Sequence, residues 1–524
     1  MMTEYPSVSI IILNYNSLAH LQANLDSLLQ LDYPAARVEL ILADNDSSDG
    51  SVEWVAKNYP VVRIVKNGAN LGFAEGNNAG VAAAKADWVV ILNPDMRVEV
   101  NWLTELLRPL QQNPYITCVA SRILNWDGTA LDFGDAAINF MGWGCQPGYG
   151  SHDIAAYAQD KPLLFPCGGA MLIKRQVFLD NGGFDRDFFA YYEDVDLGWR
   201  LWLAGYEVIF AANAIVYHRH HGSWQHVPDA RKWVLSERNT LFTIIKNYAD
   251  DSLAWTLPAV LLLLSTRAYL DINPDPNILD LPALPINMGA EPIGYGPGYY
   301  WIQVKQSVQN GDFIQLWRRT RTEISRRWRS RKEITAVPSK QAVNKPVDGH
   351  YQVSAIALSR LLAARDVRQA WPDLMQKRAA VQTQRQRSDH EIFHLFQWAL
   401  VSNFGDPQFM RTMEFVVRQF GLAALFAIDT QKPTAITPQM QMLSRQCALR
   451  LLELLDSAFT LSGADASAFR LGADQMWPQH LIPQASVAVL VKIQHIIHTL
   501  PQKPLSELLP WLHSQLQQIE SHDG

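Results

Sequence analysis

Only four cysteines stand in 524 residues, Cys118, Cys145, Cys167 and Cys447, and no two of them approach a C-x-x-C or zinc-ligand spacing. That scarcity excludes a disulfide scaffold and a structural zinc module, and it fits thiols kept reduced in a cytosolic protein. No apolar run reaches the roughly 20 residues that a bilayer-spanning helix needs. The longest, Ala254 to Ser265, is broken by Pro258. The first residues show no basic start, long apolar stretch and small-residue cleavage site of a secretory signal; SVSIIIL reads instead as a strand leading into polar NYN. Positive charge is not in excess, since 45 Lys and Arg face 51 Asp and Glu for a net charge of −6, and nothing global attracts nucleic acid. The glycines of NLGFAEGNNAG, Gly72, Gly76 and Gly80, match neither the dinucleotide fingerprint nor the P-loop. This counts against a dehydrogenase and an NTPase, and the polar Glu75, Asn77 and Asn78 between them exclude a membrane-dimer motif. Internal repeats and low-complexity tracts are also missing.

What is present is a globular composition, 48% apolar and 18% charged, on a chain long enough for two or more domains. From Val8 to about Asn125 short β-branched runs alternate with amphipathic stretches. The runs are VSIIIL, VELILA, VVRIV, WVVIL and ITCVA, and helices are expected over Ala19–Gln30, Ser51–Asn58, Phe73–Ala86 and Asn101–Gln112. This is the pattern of an open α/β sheet, mostly parallel and flanked by helices, which binds ligands at the carboxyl ends of its strands. A loop-rich stretch from Asn125 to Lys161 follows, then a strand at AMLIKR, a helix through Glu193 to Ala204, and strands at EVIF and AIVYH. From about Arg231 the chain reads as helical, interrupted by a Pro/Gly-rich connector between Leu281 and Tyr300. Beyond it, Phe313, Trp317, Ile324 and Trp328 share one face of a basic amphipathic helix. That helix suits peripheral contact with an anionic membrane or packing on a neighbouring domain. A polar linker, Val337 to His350, leads to a helical region without a chemical motif. The expected division is a catalytic domain over 6–245, a connector over 246–336 and an α-helical C-terminal domain over 351–524.

The strand ends carry the candidate chemistry. Asp44, closing LILAD, stands where an acid can accept hydrogen bonds from a ribose or base, while Ser47, Ser48 or Asp49 can cap the helix after it. Asp95 closes the apolar run of VVILNPD and offers a hard oxygen to a divalent ion; an ordinary Asn-Pro-Asp turn is the bland alternative. Glu193, Asp194 and Asp196 crowd into four residues among aromatics, which suits both a helix start and a general base with a raised pKa. His218 ends another apolar run as a candidate metal ligand, and His220 and His221 read as solvated.

In order, SIIILNYN, ADNDSSDGS, NLGFAEGNNAG, LNPDM, CGGAMLIKR, GGFDRDFFAYYEDVDLGWRLWLAGY and YHRHHGS resemble the segments of inverting family-two glycosyltransferases of the GT-A fold, most closely the rhamnosyltransferase type. The resemblance covers about residues 6 to 245. It implies a nucleotide-sugar donor bound by Asn14, Tyr15, Asp44, Asn77, Asn93, Gly168 and Gly169. It implies Mg²⁺ or Mn²⁺ held by Asp95 and His218, with Asn93 replacing the first acid of the family's metal motif. Asp194 matches the catalytic base, with Glu193 beside it. The implied reaction is a single in-line displacement onto an acceptor hydroxyl of a glycan or lipid-linked acceptor, in cell-surface polysaccharide or glycolipid synthesis, with rhamnose as the sugar of the subgroup. Two other readings are a non-catalytic scaffold with a degenerate transferase domain, motivated by Asn93, and a sugar-phosphate nucleotidyltransferase, which lacks here the basic Gly-rich loop it needs after the first strand.

Overall fold

The alternation of β-branched and amphipathic stretches becomes a helix-flanked sheet in the computed structural model, which describes residues 5–219, 229–275, 343–396, 404–426, 436–458 and 480–520 with Leu400 and Ser402. The connector 281–300, the basic segment 313–332, His220 and His221 lie outside the described residues. The chain divides into two units, one of residues 1–249 and 371–399, the other of 250–370 and 400–524.

In the first unit come β1 (Val8–Asn14), α1 (Leu18–Leu29), β2 (Val38–Asp44), α2 (Ser51–Asn58), β3 (Arg63–Lys66), α3 (Gly72–Ala83), β4 (Trp88–Leu92), β5 (Met96–Val98), α4 (Trp102–Leu107) and β6 (Ile116–Asn125). The expected helix 101–112 ends early because Pro109 opens a 3₁₀ turn, Arg108–Gln111. The loop-rich stretch holds the short strands β7 (Leu131–Phe133), β8 (Ala137–Ile138), β9 (Gly144–Cys145) and β10 (Lys161–Pro162) and a 3₁₀ turn at Ile154–Tyr157. Then follow β11 (Ala170–Lys174), α5 (Arg175–Asp180), α6 (Glu193–Leu203), β12 (Glu207–His218) and α7 (Asp229–Asn247). EVIF and AIVYH are thus one strand, with a register irregularity between Ala211 and Ile215.

The sheet runs β10-β12-β6-β11-β4-β1-β2-β3, with β5 added on β12 and β7 on β6. From β3 to β4 it is wholly parallel; β11 then pairs antiparallel with both β4 and β6. Strands buried on both faces read as continuous apolar runs, as Ile10, Ile11, Ile12, Val89 and Val90 do. The glycine row of α3 explains its spacing: a Cβ on Gly76 would lie 2.6 Å from Leu13 Cδ1, and one on Gly80 2.5 Å from Ile11 Cγ2. The row therefore lets α3 lie directly on β1.

The chain leaves the first unit through α8 (Asp250–Ile272) and returns at Trp371, part-way along α9 (Ala355–Thr383), continuing into α10 (Asp389–Phe396). Phe393 of α10 packs against Trp199 and Tyr248 at 5.1 and 5.4 Å between ring centroids. In the second unit α8 is the centre, packed by helices 407–419, 438–457 and 484–498. The apolar run read from the sequence is only part of α8, which at 23 residues is long and apolar enough to cross a membrane; 78% of its most apolar window is buried inside the protein.

Candidate active site

Parallel pairing sets Asn14 at the end of β1 opposite Asp44 at the end of β2. The Asn14 amide donates to Asp44 Oδ1 at 2.8 Å, Ser51 Oγ at 2.8 Å and Ser47 Oγ at 3.0 Å. Asp44 Oδ2 accepts from the Ser47 amide at 3.2 Å, so this buried carboxylate fastens the two loops together. Tyr15 follows at the loop, beside Asn16 with φ 51°. Neither Ser47, Ser48 nor Asp49 is the N-cap of α2; Gly50 is, at φ 78°. Asp49 accepts instead from the amides of Ser51 and Leu18, at 3.0 and 2.8 Å, pinning the starts of two helices. Burial pushes this carboxyl up, but those hydrogen bonds outweigh it and hold the group below the usual carboxylate range.

At the end of β4 the Asn93 amide donates to the Gly169 carbonyl at 2.8 Å. A Cβ on Gly169 would come within 2.6 Å of the Asn93 side chain. From α1, the Asn24 amide donates to the carbonyls of Asn93 and Met96 at 3.1 and 2.9 Å, fixing the turn that carries Asp95. Register pairing of Met96 with His218 brings the imidazole to that turn. Its Nε2 lies 3.3 Å from Asp95 Oδ2 and its Nδ1 2.6 Å from Asp132 Oδ2. Burial disfavours the imidazolium, but the two carboxylates outweigh it and push His218 up to about 9. Burial likewise pushes Asp95 up, and the charges of His218 and His20 hold it below its ordinary value. Asp132 and His20 went unread in the sequence: one sits in the loop-rich stretch, the other on an ordinary helix face. Among the described residues no cluster of three or more His, Cys, Asp and Glu is arranged to hold a metal by itself.

The three acids of α6 part company. Asp196 is fully buried and bonded to Arg200 at 2.8 Å, Lys246 at 3.0 Å and Asn247 at 2.9 Å. Burial pushes it up, but Arg200 and Lys246 hold it low, as befits a structural ion. Glu193 is buried too, and burial together with the Asp194 charge drives it well above the carboxylate range. Asp194 alone is partly exposed. Its Oδ2 accepts from the Gly168 amide at 2.9 Å and its Oδ1 from the Val195 amide at 2.8 Å, yet burial still raises it. A Cβ on Gly168 would lie 3.2 Å from Asp194 Cβ. Gly168 and Gly169 therefore stand between Asp194 on one side and Asn93 on the other. Asn77 joins neither cluster by a hydrogen bond: buried in α3, it donates to the Phe73 carbonyl at 2.9 Å, and its Oδ1 has no partner among the described residues.

Residues 9–182 match the sequence profile of Glycosyl transferase family 2. The chain carries a family-two glycosyltransferase domain. Its sheet, parallel from β3 to β4 and mixed beyond, is the GT-A fold. The domain is 29% identical over 238 residues, 41% of this chain and 76% of the relative, to an N-acetylglucosaminyl-diphospho-decaprenol L-rhamnosyltransferase of Mycobacterium tuberculosis. To the low-salt glycan biosynthesis hexosyltransferase Agl10 of Haloferax volcanii it is 27% identical, over 38% of this chain and 62% of the relative. A crystal structure of GalNAc-T7 with UDP, GalNAc and Mn²⁺ overlays at a TM-score of 0.40 and 16% identity, over 49% of this chain and 51% of that one.

Proposed function

We propose that the family-two domain moves a sugar, rhamnose in the first instance, from a nucleoside diphosphate donor to a hydroxyl of a lipid-linked glycan, with inversion. The observation that carries the reading is the Gly168–Gly169 pair, which leaves no room for side chains between the partly exposed Asp194 carboxylate and the Asn93–Asp95 turn. That close packing holds a candidate base beside the strand end proposed to carry the leaving group of a donor sugar. Asp194 takes the acceptor proton as the new C–O bond forms and the bond to the diphosphate breaks. Burial raises both carboxyls, and the Asp194 charge raises Glu193 further.

Asp95 and His218 Nε2 would hold Mg²⁺ or Mn²⁺. One carboxylate and one imidazole suit such an ion when diphosphate oxygens and water complete its shell. Asp132 on Nδ1 would fix the ring and keep Nε2 turned toward Asp95 and the ion. When bound, the ion would offset charge building on the departing diphosphate. The polar ends of β1 and β2, Asn14, Tyr15 and Asp44, are the proposed nucleotide side. Rhamnose and the polyprenyl-diphosphate acceptor rest on the name of the mycobacterial relative.

The test is thermal stability with UDP, dTDP, GDP or CDP, each with and without Mn²⁺, followed by turnover of the matching nucleotide sugars on a GlcNAc-diphospho-polyprenol. Saturating ligand at about 100 times its dissociation constant should add about 2.7 kcal/mol of stability. No stabilisation by any nucleotide and no turnover in a folded protein would leave only the non-catalytic scaffold.

A further inference from the structure

The turn that delivers Asp194 is built from backbone that bulky residues avoid. Phe189 stands at φ 62° and ψ −57°. The Ala190 amide donates to the Phe188 carbonyl at 2.7 Å, closing a γ-turn of the rare, strained hand. Tyr191 and Tyr192 follow at φ 67° and 70°, and Glu193 and Asp194 come next in the chain. Three non-glycine residues in such conformations persist only where their surroundings over-determine them.

Those surroundings come mainly from one turn of α7. Asn239, fully buried, aims its amide nitrogen at three carbonyls of the turn: Phe188 at 3.0 Å, Ala190 at 3.0 Å and Tyr191 at 2.7 Å. The neighbouring Arg238, also buried, donates to the carbonyls of Asp187 at 2.7 Å and Phe188 at 3.2 Å, and its Nε orients the Asn239 amide at 3.0 Å. An amide group has two hydrogens, so three acceptors within reach mean that it bridges the turn as a clamp. On the far side the Ala74 amide, at the start of α3, donates to the Phe189 carbonyl at 3.1 Å. Gly72 has no Cβ where one would meet Phe189 at 2.5 Å.

We infer that Asn239, oriented by Arg238, is a positioning residue: it holds the strained turn 188–192 and so fixes where Asp194 points. The inference rests on the proposed role of Asp194 as base. Loss of the clamp lets the turn relax toward ordinary φ, swinging the carboxylate off line while leaving the β1–β2 nucleotide side untouched.

The test compares Asn239→Ala with Asn239→Ala/Phe189→Gly in the full chain, because glycine adopts φ 62° without strain and should need less clamping. Expected for Asn239→Ala is a kcat about 100-fold lower with donor KM within about twofold, and a partial recovery of kcat in the double variant. Hydrogen exchange supplies a readout independent of turnover. Amides of residues 186–195 should lose protection in Asn239→Ala while β1, β2 and β4 keep theirs. Unchanged protection of that segment, or a kcat equal to wild type, overturns the inference. So does a general fall of stability, KM and kcat that Phe189→Gly does not mend, which marks a merely structural residue. A wild-type chain without turnover defeats the functional reading instead, and exchange then decides this one alone.

Discussion

Glu193 and Asp194 are sequence neighbours with different surroundings, and burial raises both carboxyls. Asp194 receives two amide hydrogen bonds and reaches the surface, whereas Glu193 is enclosed, its Oε2 without a hydrogen-bond partner among the described residues. A base acts only when ionised, and burial has raised Asp194, so kcat/KM should climb with pH through a midpoint above the ordinary carboxylate range and fall away below it. Asp194→Asn should lose about 10²- to 10⁴-fold in kcat. Glu193→Gln, which keeps the shape of a side chain enclosed away from the cleft and removes its charge, should keep most of its turnover. Steady-state kinetics on both variants decides the roles: an inactive Glu193→Gln beside an active Asp194→Asn reverses them. Asp132 makes a second case. Its carboxylate orients His218 from the side away from Asp95, so Asp132→Asn should weaken Mn²⁺ binding in the presence of the nucleotide by about 10- to 100-fold. Equal Mn²⁺ affinity by calorimetry would remove Asp132 from the site.

Between α6 and α7 a buried ionic network sets the geometry that those side chains need. Lys246 of α7 meets Asp185 at 2.5 Å and Asp196 at 3.0 Å, Lys377 also binds Asp185, and Arg200 binds Asp196. Burial raises both acids, but the cations outweigh it and hold them below their ordinary value. A depressed folded pKa gives stability that is present above the unfolded value near 4 and lost as pH falls through the folded one. Lys246→Met strands part of that charge and should destabilise by about 3 kcal/mol at neutral pH, since breaking a buried pair costs that order. Urea unfolding should show the gap to wild type narrowing below about pH 4, where the acids are neutral in the unfolded chain; a gap independent of pH would mean that lost packing accounts for it. The elements themselves were legible because strand and helix periods differ, and the strand-end positions of Asp44, Asp95 and His218 followed from apolar runs that stop. What periodicity could not show was which distant partners meet. Asp132 and His218 are 86 residues apart in sequence, and Asn239 and Phe188 are 51 apart. Arg238 and Asn239 lie inside a helix whose pattern gives no sign that its polar residues face inward, and the glycine row of α3 acquired a meaning only when β1 lay beneath it.

At the scale of the molecule, the catalytic unit is not one continuous stretch. The family profile ends at residue 182 and the mycobacterial match spans 238 residues, yet the first unit also takes in 371–399. The returning segment supplies what the end of α7 lacks. The last carbonyls of a helix have no partners within it. Here the Arg378 guanidinium accepts that task, donating to the carbonyls of Ile245 at 2.7 Å and Tyr248 at 2.5 Å, while Gln382 donates to that of Lys246 at 3.0 Å. A cation also complements the negative end of the helix dipole. Since α7 carries the Asn239 clamp, support at its far end reaches Asp194 through one rigid element. Arg378→Ala leaves two buried carbonyls short of donors and should cost about 1–3 kcal/mol, with kcat falling in parallel if α7 frays. A chain ending at Ala249 loses these bonds together with the Phe393 ring against Trp199 and Tyr248, and should melt well below the full chain or aggregate. Thermal unfolding followed by tryptophan fluorescence reads this directly. If the shortened chain melted as the full one does and kept its turnover, the returning segment would be an appendage to the family-two domain; the hydrogen bonds to α7 tie it to the first unit.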